Sequence, residues 1–312
     1  MFALDHLLSV AQFFLYLAGE LIILFVGITF FVGLMLEFIP QKKIKQLLAR
    51  GWKGMGNIIG AGFGAMTPFC SCSTIPVLAG LLESGVPFGI SMSFLIASPL
   101  LNPVIIGLFF TLLGLKTTIV YILIPFPAAV IIGILLEKLG YARYLKSVSI
   151  IGGKSDDSHA SLSPNATFIA KALPRIRGAG SAAFTFFRQV FPHLLVGAGI
   201  GAIVYGFVPQ ELIVKSAGPD NPLAIPVAAV IGVPMYIRAA TMLPISAVLL
   251  QKGMGIGAVM ALIIGGAGAS IPEITLLAAI FKKRLLAAFV VTVFGVAIFA
   301  GYLFSVLKVM EI

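Results

Sequence analysis

A chain of 312 residues that is 60% hydrophobic and 10% charged, with a mean hydropathy of +1.12, is not a soluble domain, since soluble domains carry about 25% charged residues. Its net charge of +10 does not point to nucleic acid, because the basic residues gather in loops between apolar runs, as in the cytoplasmic loops of multi-pass membrane proteins. The two cysteines, Cys70 and Cys72, are too few for a disulfide framework, and their spacing would strain a bond between them.

Leu7 to Phe38 is long enough for one tilted span, with Glu20 inside it and Glu37 near its end; about 20 apolar residues suffice. It lacks a basic leader and a small-residue cleavage site, so it reads as a span rather than a signal peptide. Lys42, Lys43, Lys45, Arg50 and Lys53 follow. Asn57 to Leu82 is Gly-rich and then broken by Pro68 and Pro76, and Glu83-Ser84-Gly85 closes it. Phe88 to Leu113 is apolar but interrupted at Ser98-Pro99 and Asn102-Pro103. Thr117 to Leu136 is a cleaner span that Pro125 and Pro127 can kink. Residues 138–185 form a basic linker rich in Ser, Gly and Asp, ending in a short amphipathic piece. Val190 to Val208 is a span. Pro222 to Leu250 is again proline-broken, at Pro226, Pro234 and Pro244. Gly255 to Phe281 is interrupted by a Gly-Ala run ending in Ser270-Ile271-Pro272-Glu273, and Leu285 to Leu307 is the last span.

The two halves match in the order of their elements. Pro76 and Pro244, Gly85 and Gly253, and Gly89 and Gly257 are each 168 apart. At the same offset Ser98 matches Gly266 and Asn102 matches Ser270. The chain therefore reads as an all-α polytopic membrane protein of about eight to ten membrane segments. It divides into an N-terminal membrane repeat at 1–137, a cytoplasmic linker at 138–185 and a C-terminal membrane repeat at 186–312. Weak internal symmetry with broken helices marks secondary transporters.

Charge gives the orientation. Of the 21 Lys and Arg, 16 fall in three loops: 5 at 42–53, 8 at 138–188 and 3 at 282–284. All three belong on the cytoplasmic side. That requires an even number of crossings between the first two. A re-entrant hairpin or a pair of short spans at 54–82 and at 222–251 supplies it, which inverts the halves relative to each other and puts both termini outside.

Thr67-Pro-Phe-Cys-Ser-Cys-Ser-Thr-Ile-Pro76 is polar and irregular within apolar sequence. Such backbone is tolerated in a membrane only where it is buried in protein or lines a cavity. Two sulfurs there suit soft metals and metalloids, with Ser71, Ser73 and Thr74 as hydrogen-bonding groups. A lone cysteine would read as a small buried hydrophobe. Arg238 stands where the offset puts Cys70, and intramembrane charge marks function by default. Glu273 is a candidate for ion coupling or for a pair with Arg238, and Ser98 and Asn102 for the pore lining or for capping freed carbonyls. Pro68, Pro76, Pro99, Pro103, Pro244 and Pro272 are the expected helix breaks. His6, His159 and His193 read as surface or interfacial residues. No cofactor, resident metal or P-loop is expected, so the energy comes from an ion gradient, here protons, or from a partner.

The run Thr67 to Val77, followed by Gly85-Val-Pro and Ser98-Pro-Leu-Leu-Asn-Pro103, resembles the predicted-permease family that includes the ArsP-type organoarsenical efflux permeases. The second half agrees through Pro244, Gly253 and the Gly265–Glu273 run, so the resemblance covers nearly all of the chain outside the linker. It implies a multi-pass permease of the prokaryotic cytoplasmic membrane that exports trivalent organoarsenicals, with Cys70 and Cys72 as the arsenic-contacting thiols. A permease for a metal ion or an anion held near Arg238, and an intramembrane thiol oxidoreductase, are the alternative readings.

Overall fold

Glycines and other small residues decide how closely apolar helices can approach, and they set the architecture seen in the computed structural model. It describes residues 54–67, 71–146, 223–233 and 253–307, with Leu250 and single helical positions between 12 and 30 and between 180 and 196. The helices are α1 (Met55–Met66), α2 (Ser71–Glu83), α3 (Phe88–Leu100), α4 (Pro103–Leu123), α5 (Pro125–Lys138), α6 (Ala224–Gly232), α7 (Ile256–Gly268), α8 (Ile271–Ile280) and α9 (Lys283–Leu307). A 3-10 turn covers Tyr141–Tyr144. Among the described residues no strand forms beyond one antiparallel bridge, Leu145 to Phe281.

The protein is an all-α membrane protein. Phe88–Lys138, Ile256–Ile280 and Lys283–Leu307 are long and apolar enough to cross a bilayer. At 1.5 Å per residue, α9 reaches about 37 Å against a hydrocarbon core of about 30 Å. Its outward side chains include the apolar Val291, Phe299 and Val306, as a lipid-facing surface requires.

Two of the expected proline breaks do not occur. Pro76 lies inside α2 and Pro99 inside α3, and the chain stays helical through both. Each costs one backbone bond, which a packed neighbour or a Ser/Thr side chain can offset inside a bundle. Among the described residues the chain leaves the helical path at Thr67, Leu101–Asn102, Gly114 and Ala269–Ser270. Pro103 sits in the first turn of α4 and Pro272 in that of α8, where no intrahelical donor is lost. Gly114 takes φ +79, ψ 173, which only glycine adopts without strain, and it folds α4 back so that Phe109 stacks on Tyr121 with centroids 4.1 Å apart. Pro68 and Pro244 lie outside the described residues.

Close contacts give the helix directions. A Cβ on Gly60 would meet Ile90 O, and one on Gly64 would meet Phe94 O and Ser98 N, so α1 and α3 run parallel. Gly89 faces Gly133 and Glu137, so α5 runs antiparallel to α3. The connection from α2 to α3 is tight: Gly85 at φ +76 donates to Leu82 O and Val86 N donates to Leu81 O, the αL-glycine helix end expected there. The chain thus enters α1 at Gly54 and leaves α5 at the same end, with Gly54 against Ile134.

The second half has the same contacts 168 residues on. α3 and α7 start and end at this offset, 88 and 100 against 256 and 268. Gly232 meets Leu262 and Gly266, the counterparts of Phe94 and Ser98 opposite Gly64. Gly257 meets Gly301 and Ser305, the counterparts of Gly133 and Glu137 opposite Gly89. Gly253, at φ +91, donates to Leu250 O as Gly85 does to Leu82.

A strap joins the two sets. Lys146 N donates to Ile280 O (2.7 Å) and Lys282 N to Tyr144 O (2.9 Å). Arg284 also donates to Tyr144 Oη at 3.1 Å, and this bond is the main cause that draws the phenol below its ordinary value.

Candidate functional site

The central breaks lie together. Thr67, at the end of α1, donates its hydroxyl to Gly64 O (2.7 Å) and lies 3.2 Å from the Ser98 hydroxyl on α3. Two residues on, Leu100 packs against Gly268 at the end of α7, where a Cβ would be 3.2 Å from the leucine side chain. α3 rises about 20 Å from its start to this contact, less than the thickness of a hydrocarbon core of about 30 Å, so the contact lies inside the span rather than at its far end.

Two helices begin beside it. α2 starts four residues after Thr67 and α8 three residues after Gly268, and α2 packs against α8. A four-residue link spans at most about 14 Å, so both N-termini belong to one region. Helix N-termini carry unpaired N–H groups and partial positive charge, which favours electronegative ligand atoms. Converging half-helix ends buried in a bundle are one way in which membrane proteins build binding sites.

The freed backbone groups find specific partners. Tyr121, fully buried, donates its hydroxyl to Leu100 O at 2.7 Å, in place of the amide that the break removes. Tyr121→Phe is expected to lower stability by about 1 kcal/mol, measured as a fall in the unfolding midpoint of the purified protein. Asn102, half-buried as the cap of α4, accepts from Val104 N at 2.9 Å, so it serves the helix as well as standing at the break.

Ser270 and Glu273 differ. Ser-x-x-Glu is the capping-box pattern, in which each side chain bonds the other residue's backbone N–H. No side-chain cap bond forms at Ser270. Glu273 is fully buried and Ser270 4% exposed, yet Ser270 Oγ and both Glu273 carboxyl oxygens lack a hydrogen-bond partner among the described residues. The carboxyl faces the Ser270 backbone N–H.

Of the residues singled out by sequence, Thr74, Asn102 and Glu273 therefore fall at or beside this junction. Thr74 is fully buried in the first turns of α2. Ser71, Cys72 and Ser73 belong to the first turn of α2 by backbone. Cys70 and Arg238 lie outside the described residues. Sequence reading passed over Tyr121 and gave no role to Ser270 beyond its match to Asn102. Tyr121 carries no local signal, because its partner is 21 residues away. Ser270 was legible through the capping-box spacing. Among the described residues no three of His, Cys, Asp and Glu gather as a metal site would require.

Comparison with known proteins gives one family. The family described as predicted permease (ArsP_1) matches residues 6–306. The chain is 22% identical over 303 residues to the UPF0718 protein MJ0584 of Methanocaldococcus jannaschii, covering 82% of this chain and 83% of that protein. It is 22% identical over 274 residues to the UPF0718 protein YcgR of Bacillus subtilis, covering 87% and 88%. No solved structure matches significantly.

Proposed function

The chain belongs to the predicted-permease family, and from that premise we propose that it is a secondary transporter that exports a trivalent (organo)arsenical or a similar thiophilic solute through the Cys-Ser-Cys segment. It acts as a permease of the cytoplasmic membrane rather than as an enzyme. The observation that supports the reading is the position of α2, whose first turn carries the Cys72 backbone to a buried junction of helix ends. Cys70 and Cys72 are the soft ligands. Ser71, Ser73 and Thr74, with Asn102 across the junction, offer hydrogen bonds to oxygen on the solute. Arg238 supplies positive charge from the second half, and Glu273 carries the coupling ion, a proton. Transient ligation by two thiols permits exchange and release, since a solute held too tightly does not turn over.

The recurrence of contacts at an offset of 168 supports two repeats, and the strap supports their inversion. α3 starts beside Glu137, at the end where α5 runs out into residues 139–146. α8 ends at that strap, so α7, which precedes it, starts from the opposite end. The basic linker and both termini then take the cytoplasmic and outer sides given by the loop charges. Reporter fusions at residues 45, 140 and 283 are expected on one face. A fusion at 140 on the face opposite 45 removes the inverted arrangement.

The function is tested by transport into everted vesicles, with inorganic and methylated arsenicals in both oxidation states. Uptake of a trivalent species that stops when the gradient is collapsed is the expected result. Absence of uptake for every trivalent species removes the assignment.

A further inference from the structure

The segment where α7 ends and α8 begins has a feature that its counterpart lacks. At Asn102 the side chain completes a cap, with Oδ1 accepting from Val104 N. At Ser270, 168 residues on, the cap is unmade. Ile105 stands where the same offset puts Glu273, so the first half places an apolar side chain, 4% exposed, where the second buries a carboxyl. The three unpartnered oxygens are Ser270 Oγ and the two of Glu273, all within the first turn of one helix.

An ionised carboxylate with no partner is costly away from water, and so is an unpaired hydroxyl. A complete capping box would have satisfied both side chains locally, and the Ser270 side-chain bond that it needs is not made. Oxygen donors without nitrogen or sulfur suit a small hard cation or a proton. α7 also ends at this junction, and the last carbonyls of a helix lack intrahelical partners, the kind of helix end that coordinates coupling ions in broken-helix transporters.

We propose that the α7–α8 junction is a monovalent-cation site, in which Ser270 Oγ and the Glu273 carboxyl hold a proton or Na+ against the helix that carries Cys72. The proposal deepens the ion-coupling role of Glu273 and rests on the transporter reading only for its purpose, not for its chemistry. Because α8 packs against α2, occupancy of the site bears on the position of the thiol-bearing turn. Cation binding and solute binding are then linked through one helix contact.

The test uses the purified full chain in lipid nanodiscs, with no solute present. Its unfolding midpoint is followed in NaCl, KCl and choline chloride at constant ionic strength, and across pH in choline chloride. Other titratable groups on the elements packed against α8 are Cys72 and Glu83 on α2, Lys283, Arg284 and Tyr302 on α9, and Lys146, whose Nζ bonds Ala278 O. Each series is therefore read as the difference between wild type and Glu273→Gln. A midpoint raised by Na+ in wild type and unmoved in Glu273→Gln identifies Na+. A difference that depends on pH alone identifies the proton. Ser270→Ala is expected to keep the response but to need several-fold more of the cation. Should Glu273→Gln not fold, Glu273→Asp retains a carboxyl and is expected to respond with a shifted midpoint. Wild type and Glu273→Gln responding alike in both series, or wild type and Glu273→Asp responding identically where Glu273→Gln does not fold, overturn the site. A transporter that moves no arsenical yet passes this test leaves the site standing and removes only the solute.

Discussion

Cys70→Ser combined with Cys72→Ser is expected to reduce transport of a trivalent arsenical to the level of vesicles without the protein. Serine replaces a soft, polarizable donor by a hard oxygen of nearly the same shape, so the change falls on ligation more than on packing. The buried residues that seat α2, among them Thr74, Ile75 and Leu78, are untouched. The double variant should therefore reach the membrane in normal amounts. The measurement is initial uptake into everted vesicles at several solute concentrations. Each single variant is expected to retain part of the activity at raised solute concentration, because one thiol can still ligate. Uptake by the double variant equal to wild type would sink the thiol mechanism and leave an anion or metal ion near Arg238 as the reading to pursue.

Gly133→Ala and Gly301→Ala are expected to be among the most damaging small substitutions in the described residues. A Cβ on Gly133 would collide with Ser93 Oγ and lie 2.5 Å from Gly89 O and 3.0 Å from Asn57 Nδ2. Asn57 and Ser93 are themselves bonded at 3.0 Å, so a methyl group at Gly133 would wedge into the polar contact that ties α1 to α3. On Gly301 it would lie 2.5 Å from Ile225 Cγ2 and 2.7 Å from Gly257 O. Overpacking costs about 1–3 kcal/mol, and backbone oxygen among the obstacles puts both sites at the upper end. Gly295→Ala on the same α9, where nothing lies within 4 Å, is the control and should be neutral or slightly stabilising, since alanine is the better helix former. Unfolding midpoints and membrane yield measure the difference. Equal midpoints for Gly301→Ala and Gly295→Ala would mean that α7 and α9 are not packed through glycine.

Much of this arrangement is written locally. Gly85 and Gly253 were legible as helix ends because a left-handed residue there excludes most side chains. Pro103 and Pro272 were legible at breaks, since proline fits the first turn of a helix and little else in it. Pro76 and Pro99 misled for the same reason: local rules count the missing donor, whereas a packed bundle supplies other partners. The candidate site was legible in part. Its polar residues stand out against apolar sequence, yet the partner of the thiol-bearing helix, α8, lies some 200 residues along the chain.

The sequence by itself determined the membrane class, the offset of 168 and the family. These follow from composition, charge placement and residue order, which need no neighbours. Only the tertiary structure decided which helices touch. α3 and α7 are almost wholly buried, so they carry no apolar stripe that would tell one side from the other. Small residues instead select partners by shape, through backbone approaches at Gly64, Gly133 and Gly301 that depend on both surfaces at once. The same dependence brings Leu100 against Gly268, sets α2 beside α8, and leaves Glu273 buried without the cap that its own sequence offers.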